Sequence, residues 1–287
     1  MAERVALASF TASAVLAGAN GVGIRFSNRE LDPLWGAGLR FTLAAALFVA
    51  LMVALRLRLP RGRALAGAAI FGVLNIGVAY ALAYYALLHM HAGLGQTLLA
   101  LVPLLTLLLA VAQRQERLRL AAVAGTVLAL AGVAVLGRAS LGGVPGTALV
   151  AAIASAVCIA QAAVTVRRFP QVHPVVVNAV GMTVGAILLL VASFAARENQ
   201  TIPAKAETWT ALAYLVVVGS VVVFGLYLVV LKHWAASRTA YVFVIAPFVT
   251  IALSVWLDDE PVGPALAIGG VLVLAGVYVG ALRTAVT

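Results

Sequence analysis

Hydrogen-bonding side chains recur at helical spacing inside long apolar runs of this 287-residue sequence. In the first run Ser13 and Asn20 are seven residues apart, so a helix would place them on one face. A later run carries Cys158, Gln161 and Thr165 at spacings of three and four. Amides and hydroxyls donate and accept hydrogen bonds without titrating near neutral pH. Their pattern therefore predicts reversible binding of a polar solute rather than acid–base catalysis.

The acidic residues lie outside these runs, in connections or at the ends of segments. The nine are Glu3, Glu30, Asp32, Glu116, Glu198, Glu207, Asp258, Asp259 and Glu260. A buried carboxylate is the usual proton carrier and cation site in membrane transporters. Its absence argues against a cation–drug antiporter and an intramembrane aspartyl protease. The sequence contains no evident metal cluster, phosphate-binding loop or nucleophile–base pair, so we expect no cofactor, no metal and no enzymatic activity.

The composition indicates a membrane protein. Hydrophobic residues make up 64% of the chain and charged residues 10%, against about a quarter charged in soluble domains. Apolar runs of about 20 residues match the roughly 30 Å hydrocarbon core of a bilayer at 1.5 Å rise per residue. We therefore predict an all-α polytopic membrane protein. The N-terminal run resembles a signal peptide, but it is long enough to span, so we interpret it as a retained first helix.

Charged residues, glycine and proline divide the chain into ten predicted transmembrane helices. They cover residues 5–25, 33–55, 64–88, 92–112, 119–137, 146–166, 174–196, 209–232, 236–257 and 264–282. The N-terminus, the connections after segments 2, 4, 6 and 8, and the C-terminus carry thirteen Lys and Arg residues. The opposite connections carry five, namely Arg25, Arg29, Arg138, Arg197 and Lys205. This bias predicts that both termini are cytoplasmic.

The second half of the chain repeats the first. "VLALAGVAVLG" at 127–137 returns as "VLVLAGVYVGA" at 271–281, and the same offset of 144 residues puts His89 on His233. Near the start the offset is 141, which puts Asn20 on Gln161. We therefore predict two repeats, residues 1–140 and 141–287, of five helices each. An odd number of helices inverts the second copy, an arrangement that recurs in secondary transporters.

The segment "YYALLHMHAGLGQTLLALVPLLTLLLAVAQRQERL" resembles the third-to-fourth helix region of the drug/metabolite transporter superfamily, EamA type. "TAYVFVIAPFVTIALSVWLDDEP" repeats its pattern, with Pro247 and Glu260 in the places of Pro103 and Glu116. Within the superfamily the ten-helix length and uncharged core look most like the YddG-type amino-acid exporters. The resemblance implies a central cavity lined mainly by helices 1, 3, 4, 6, 8 and 9. Helices 5 and 10 would be peripheral packing elements.

We predict a substrate-binding set of amides and tyrosines on these helices. Its members are Asn20, Tyr80, Tyr84, Gln96, Gln161, Tyr227 and Tyr241. Asn20 and Gln161, as repeat equivalents, are expected to face one another and hold the polar end of the substrate, with Tyr80 and Tyr84 near its apolar end. Such a cavity suits a neutral or zwitterionic amphiphile. Pro103 and Pro247 each remove a helix hydrogen bond and mark hinge or gate positions.

The sequence therefore predicts an inner-membrane secondary transporter that exports amino acids, aromatic and other neutral ones favoured, and related metabolites by alternating access. Its partners are expected to be a small-molecule substrate and the lipid bilayer, with no nucleic acid, and it is expected to work as a monomer. The alternatives are a phosphate- or nucleotide-sugar exchanger, for which Lys232 and Arg238 would supply cations, and a non-transporting membrane scaffold.

Three further residues carry open alternatives. Arg40 lies within helix 2, and we expect its side chain to snorkel to the surface, the alternative being a role with a substrate carboxylate. His89 and His233 are expected to cap the C-termini of helices 3 and 8. Proton coupling through these histidines is the alternative.

Overall fold

The computed structural model describes residues 2–117, 120–140, 143–234, 239, 242–259 and 263–279. Within these ranges every regular element is helical. The elements are α1 Ala2–Asn28, α2 Pro33–Ala54, α3 Arg63–His89, α4 Ala92–Ala112, α5 Leu120–Ser140, α6 Gly146–Val166, α7 Pro174–Ala195, α8 Ala206–His233, α9 Val242–Asp258 and α10 Pro264–Val277. Each predicted segment corresponds to one of these helices within a few residues, with two exceptions. The described part of α9 begins later than the ninth predicted segment, and that of α10 ends earlier than the tenth.

Seven of these helices, α1 to α4 and α6 to α8, are long and apolar enough to cross a membrane. Shorter apolar helices cover Val123–Leu136, Val242–Asp258 and Pro264–Val277. Large apolar side chains cover the outside of the bundle; Trp256, for example, is 77% exposed. A surface of this kind suits lipid rather than water. The protein is a multi-pass helical membrane protein.

Proline shapes the helices at several positions. Pro33, Pro174 and Pro264 each stand in the first turn of α2, α7 or α10, where the missing N–H would have no helical partner anyway. Pro103 follows an interruption of α4 between Leu99 and Val102, because it cannot donate the hydrogen bond that would continue the helix.

α3 and α8 each contain an internal π-helical segment, at Gly72–Val78 and at Val217–Val222. The two segments lie at equivalent positions of the sequence repeat, 144 residues apart within one residue. A π-helical turn inserts a residue and shifts the faces of the helix on either side of it, and such turns are frequent at functional sites. The equivalent positions of the two segments make this part of α3 and α8 a candidate functional region.

Several of the main helix pairs are preserved when the two halves of the chain are exchanged. The helix pairs with most contact include α2 with α7 and α5 with α10. In each pair one helix is the repeat equivalent of the other. The contacts of α1 with α8 and α9 likewise match those of α6 with α3 and α4. Glycine permits the close approach of α5 and α10, since a Cβ at Gly132 would lie 2.7 Å from the carbonyl oxygen of Gly269.

Two ends of the bundle can be distinguished by their contacts. At the first, which we call the Arg25 end, the turn after α1 meets the turn after α3, the start of α8 and the end of α9. At the second, the Gln161 end, the end of α6 meets the ends of α4 and α8. α3 and α4 therefore run in opposite directions between the two ends, as do α8 and α9.

Candidate functional site

A cavity of about 90 Å³ lies where α1, α3, α4, α6, α8 and α9 meet. These are the helices that the family resemblance implied. Its described lining residues are Ala17, Asn20, Gly21, Ile24, Asn75, Tyr80, Ala83, Ala86, Leu87, Gly95, Gln96, Leu99, Ala152, Ser155, Ile159, Val223, Phe224, Tyr227, Val242, Phe243 and Ala246. None of these described residues is charged, so the cavity presents amides, hydroxyls and aromatic rings on an apolar background.

Four residues of the predicted set line this cavity: Asn20, Tyr80, Gln96 and Tyr227. The Asn20 amide nitrogen donates to the Gly219 carbonyl oxygen over 3.3 Å. The Gln96 amide nitrogen donates to the carbonyl oxygen of Ala17 over 3.4 Å.

Three polar atoms of the Asn20, Gln96 and Tyr227 side chains have no hydrogen-bond partner. The amide oxygens of Asn20 and Gln96 and the Tyr227 hydroxyl are buried and have no hydrogen-bond partner in the protein. Buried polar atoms in folded proteins are nearly always paired. The three atoms belong to side chains that line the cavity.

Two polar cavity residues, Asn75 and Ser155, were not in the predicted set. Ser155 on α6 donates its hydroxyl to the Ala79 carbonyl oxygen of α3 over 2.8 Å. Asn75 is 5% exposed and lies in the π-helical segment of α3. It precedes Tyr80 by five residues, a spacing that separates faces in an α-helix but is the hydrogen-bonding step of a π-helix. An amide inside an apolar run was the only signal that could have found it.

Gln161 does not line the cavity, and the expectation that it faces Asn20 is wrong. Its amide oxygen accepts from the Gln113 side-chain nitrogen over 2.8 Å, and its own nitrogen donates to the Thr165 hydroxyl over 2.7 Å. The repeat is asymmetric at this point, because the equivalent of Gly219 is Asn75. Position 75 carries a side chain where position 219 has none.

Gly219 itself is required by its neighbours. A Cβ at this position would lie 2.0 Å from the Asn20 amide oxygen and 3.3 Å from an Arg40 terminal nitrogen. Its carbonyl oxygen, in the π-helical segment of α8, accepts hydrogen bonds from both side chains. The segment thus ties α1 and α2 to α8 beside the cavity.

Tyr84 is fully buried next to the cavity rather than in its wall. Its ring centroid is 6.4 Å from that of Tyr80, and its hydroxyl has no hydrogen bond of good geometry. Tyr241, the last predicted binding residue, lies outside the described residues, as do Glu260 and Arg238.

Arg40 does not snorkel, which corrects the prediction from sequence. The residue is 0% exposed. It lies on the stripe of α2 that also carries the buried Phe41, Ala44 and Phe48, so its side chain enters the bundle instead of reaching the lipid surface. Helical periodicity, read for this one residue, would have shown this orientation.

The two histidines at repeat-equivalent positions are both exposed at helix ends. The His233 Nδ1 atom is 2.8 Å from the Val229 carbonyl oxygen, one turn back on α8. The His89 ring packs edge-on against Tyr85 with centroids 5.1 Å apart. The His233 contact is of the kind expected at a helix C-terminus, and neither ring belongs to the cavity lining.

An uncharged, mostly apolar cavity with a few amides and hydroxyls, at the centre of an apolar helical bundle, is characteristic of a membrane transporter of small solutes. The EamA-like transporter family model matches the chain twice, over residues 5–138 and 146–281. The protein belongs to this family and is a transporter rather than an enzyme.

Named relatives span almost the whole chain. The "Uncharacterized inner membrane transporter YedA" of Escherichia coli (strain K12) is 29% identical over 261 residues, covering 89% of this chain and 84% of that protein. A "Probable terminal-alkyne amino-acid exporter" of Streptantibioticus cattleyicolor is 29% identical over 268 residues, covering 88% and 86%. A "Probable amino-acid metabolite efflux pump" of Escherichia coli (strain K12) is 27% identical over 282 residues, covering 92% and 91%.

A solved structure titled "Crystal structure of protein" has the same fold. It superposes with a TM-score of 0.73 at 25% sequence identity and covers 98% of both chains.

Proposed function

We propose that the protein exports amino acids, aromatic and other neutral ones favoured, and related metabolites across the inner membrane by alternating access. The relatives named as an amino-acid exporter and an amino-acid metabolite efflux pump support this substrate class. The relative named as an inner membrane transporter supports the location. Membership of a transporter family supplies the general activity on which these finer statements rest.

The observation that carries the substrate class is the set of unused polar atoms in the cavity. The free amide oxygens of Asn20 and Gln96 are suitable acceptors for an ammonium group. The rings of Tyr80, Phe224 and Phe243 give the same cavity an aromatic wall. A small molecule with one ammonium group and an apolar side chain, such as a neutral amino acid, would satisfy both parts of this surface.

The architecture that we propose for transport is ten spans in two inverted five-helix repeats, residues 1–140 and 141–287, with both termini cytoplasmic. The two family matches, the equivalent π-helical segments and the helix pairs that are preserved on exchange of the halves support the repeat. The distribution of Lys and Arg supports the orientation. The Arg25 end would then face the periplasm and the Gln161 end the cytoplasm.

Alternating access also requires places where the helices bend. The interruption of α4 before Pro103 and the position of Pro247 inside α9 support a hinge in each repeat. Both prolines are buried, and the helices that contain them, α4 and α9, line the cavity. A bend there would change the width of the cavity at one end more than at the other.

A phosphate- or nucleotide-sugar exchanger would need several cations at its binding site. None of the described cavity residues is charged, and Lys232 lines a separate pocket with Arg167 at the Gln161 end. The geometry therefore favours amino acids over phosphorylated sugars.

The test is solute flux into proteoliposomes containing the purified protein. An amino-acid panel should reveal accumulation of neutral and aromatic amino acids, while a sugar phosphate should not be transported. A membrane scaffold would show no flux for any solute.

Alanine variants connect the flux to the cavity. Asn20→Ala and Gln96→Ala each remove a hydrogen bond to a charged substrate group, worth about 1.5–3 kcal/mol. Apparent affinity should fall about ten- to a hundredfold. Val127→Ala on α5, 64% exposed and away from the cavity, is the matched control and should leave flux unchanged. Normal transport by both cavity variants at equal protein levels would place the binding site elsewhere.

A further inference from the structure

Arg40 is a buried charge without an acidic partner. The residue is fully buried, and each ion pair found among the described residues joins other arginines, Arg25 and Arg29, to acids at the Arg25 end. Burying an ionised side chain is costly unless it is paired and hydrogen-bonded. An ionisable side chain inside a membrane protein therefore indicates a functional site, with a partner to be found.

The protein satisfies only part of the Arg40 guanidinium. Its Nε atom donates to the Ser220 hydroxyl over 2.9 Å, and one terminal nitrogen, Nη2, donates to the Gly219 carbonyl oxygen over 3.0 Å. The other terminal nitrogen, Nη1, is buried and has no hydrogen-bond partner. Guanidinium carries five donors in a fixed fork that matches a carboxylate. The unused nitrogen leaves one side of that fork without a carboxylate or carbonyl partner, beside the Tyr80 and Tyr84 hydroxyls.

The guanidinium is one aromatic ring away from the cavity. Its carbon atom lies 4.9 Å from the ring centroid of Tyr80, which lines the cavity. Asn20, another lining residue, shares the Gly219 carbonyl oxygen with Arg40. The unpaired amide oxygen of Asn20 therefore belongs to the same group of contacts as the unpaired nitrogen of Arg40.

We propose that Arg40 is a specificity-determining residue that selects solutes carrying a carboxylate. This proposal deepens the proposed function and depends on it. The carboxylate of the solute faces Tyr80, where the positive charge of Arg40 attracts it across a region from which water is excluded. The free amide oxygens of Asn20 on α1 and Gln96 on α4 accept from the ammonium group.

The single positive charge of Arg40 also determines which solute charges the cavity accepts. A zwitterion is neutral as a whole, so its carboxylate can pair with the guanidinium without changing the net charge of the cavity. A dianionic phosphate would leave an uncompensated negative charge in the cavity. An amine that lacks a carboxylate would place a second positive charge close to Arg40 and be rejected.

The first test uses the wild-type protein in proteoliposomes. Phenylalanine and phenylalaninamide, which differ in the carboxylate alone, compete against labelled phenylalanine. We expect phenylalaninamide to compete about ten- to a hundredfold more weakly, the range for loss of a hydrogen bond between charged groups. Equal competition by the amide would overturn the role of Arg40 while leaving amino-acid transport intact. Absence of flux for every amino acid would contradict the proposed function and the role of Arg40 with it.

The second test uses Arg40→Gln, which removes the charge and retains hydrogen-bonding capacity. The concentration of phenylalanine for half-maximal competition should rise about ten- to a hundredfold, while that of phenylalaninamide should not rise. A purely structural arginine would weaken both solutes by the same factor, and that result would overturn the proposal. Arg58→Gln removes an exposed charge from the connection after α2 and is the matched control. If Arg40→Gln does not fold, the wild-type competition decides the question alone.

Discussion

The Arg25 end and the Gln161 end of the bundle are closed by different chemistry. At the Arg25 end, Arg25 Nε forms an ion pair with Asp258 at 3.1 Å, and Arg29 pairs with the same carboxylate. Arg25 also donates to the Met90 carbonyl oxygen over 3.2 Å, and its Nη1 atom lies 3.0 Å from the His91 ring. One arginine thus joins the ends of α1 and α9 to the turn between α3 and α4.

Amides and backbone carbonyls provide the corresponding contacts at the Gln161 end. The Gln113 and Gln161 side chains bond each other, and Arg168 donates to the Gln113 carbonyl oxygen over 2.9 Å. Arg167 donates to the carbonyl oxygen of Trp234 over 3.0 Å. Trp234 is the repeat equivalent of Met90, so this contact matches the one that Arg25 makes at the opposite end.

The two ends therefore have a similar arrangement of contacts but differ in charge. In each, an arginine at the C-terminal end of a cavity-lining helix binds the backbone at the end of a π-containing helix. The Arg25 end adds a shared carboxylate, Asp258, whose side chain is 8% exposed. Hydrogen bonds between charged groups are roughly twice as strong as neutral ones. We infer that the Arg25 end is the more firmly closed of the two and the more sensitive to charge.

The largest effect is expected from Asp258→Asn. The substitution deprives Arg25 and Arg29 of their shared carboxylate, an interaction worth about 1.5–3 kcal/mol. The balance between the two closures should shift at least about tenfold toward opening at the Arg25 end. Labelling of Ala83→Cys in the cavity, in a Cys158→Ala background, by an impermeant maleimide added outside should accelerate accordingly.

Asp259→Asn provides the control for this comparison, because it removes the neighbouring exposed carboxylate and leaves the pair to Arg25 intact. If both variants alter labelling equally, net surface charge rather than the ion pair governs the Arg25 end.

A smaller effect of opposite sign is expected from Gln161→Leu. Loss of the bond to Gln113 removes a neutral hydrogen bond worth about 0.5–1.5 kcal/mol. The balance should shift about two- to tenfold toward opening at the Gln161 end, so outside labelling of Ala83→Cys should slow. Gln113→Leu should have the same effect, and the double variant should add little, since both single changes break one contact. Faster labelling from outside in Gln161→Leu would show that this contact does not close the end.

Salt should distinguish the two ends by a still smaller amount. The Debye length falls from about 10 Å at 0.1 M to about 3 Å at 1 M salt. Salt screens only the solvent-facing part of this interaction, about 1 kcal/mol or less, so outside labelling of Ala83→Cys with Asp258 intact should rise by up to about fivefold. The Asp258→Asn variant should lose this dependence. A rise of the same size in that variant would assign the salt effect to another contact.

The smallest effect concerns Glu30, which caps the start of α8 from the turn between α1 and α2. The Thr208 hydroxyl, followed by the Ala204 backbone N–H, lowers the pKa of the Glu30 carboxyl below 4.5. Because the folded-state pKa is depressed, this stabilisation is present above the unfolded pKa and is lost as pH falls through the folded value. Thermal stability should therefore decline slightly more below pH 4.5 in wild type than in Glu30→Gln. Identical pH profiles would assign no role to the cap.

The helices could be predicted from sequence because each bilayer-spanning run is apolar and ends at charge, proline or glycine. The cavity could be predicted in part, since amides and tyrosines in a membrane need partners. Asn75 escaped prediction because a π-helical turn has no signature in apolar periodicity. Gln161 was misplaced because the repeat was treated as symmetric, whereas Gly219 on one side corresponds to Asn75 on the other.

Arg40 was misjudged for a different reason. A lone arginine near a helix end in a membrane protein usually snorkels, since exposure to hydrocarbon is costly. That expectation considers depth and neglects the face of the helix. Phe41 and Phe48 on the same stripe of α2 are buried, so the interior location of Arg40 follows from packing that the sequence carries only as periodicity.

Alternating access through the central cavity is tested most directly by labelling Ala83→Cys, in the Cys158→Ala background, from each side of oriented proteoliposomes. We expect impermeant maleimide to react from either side, with an amino acid gradient increasing the reaction from one side as it decreases the reaction from the other. Asp258→Asn and Gln161→Leu should displace that balance in opposite directions. Reaction from one side alone, whatever the gradient or variant, would contradict alternating access and the assignment of the two ends.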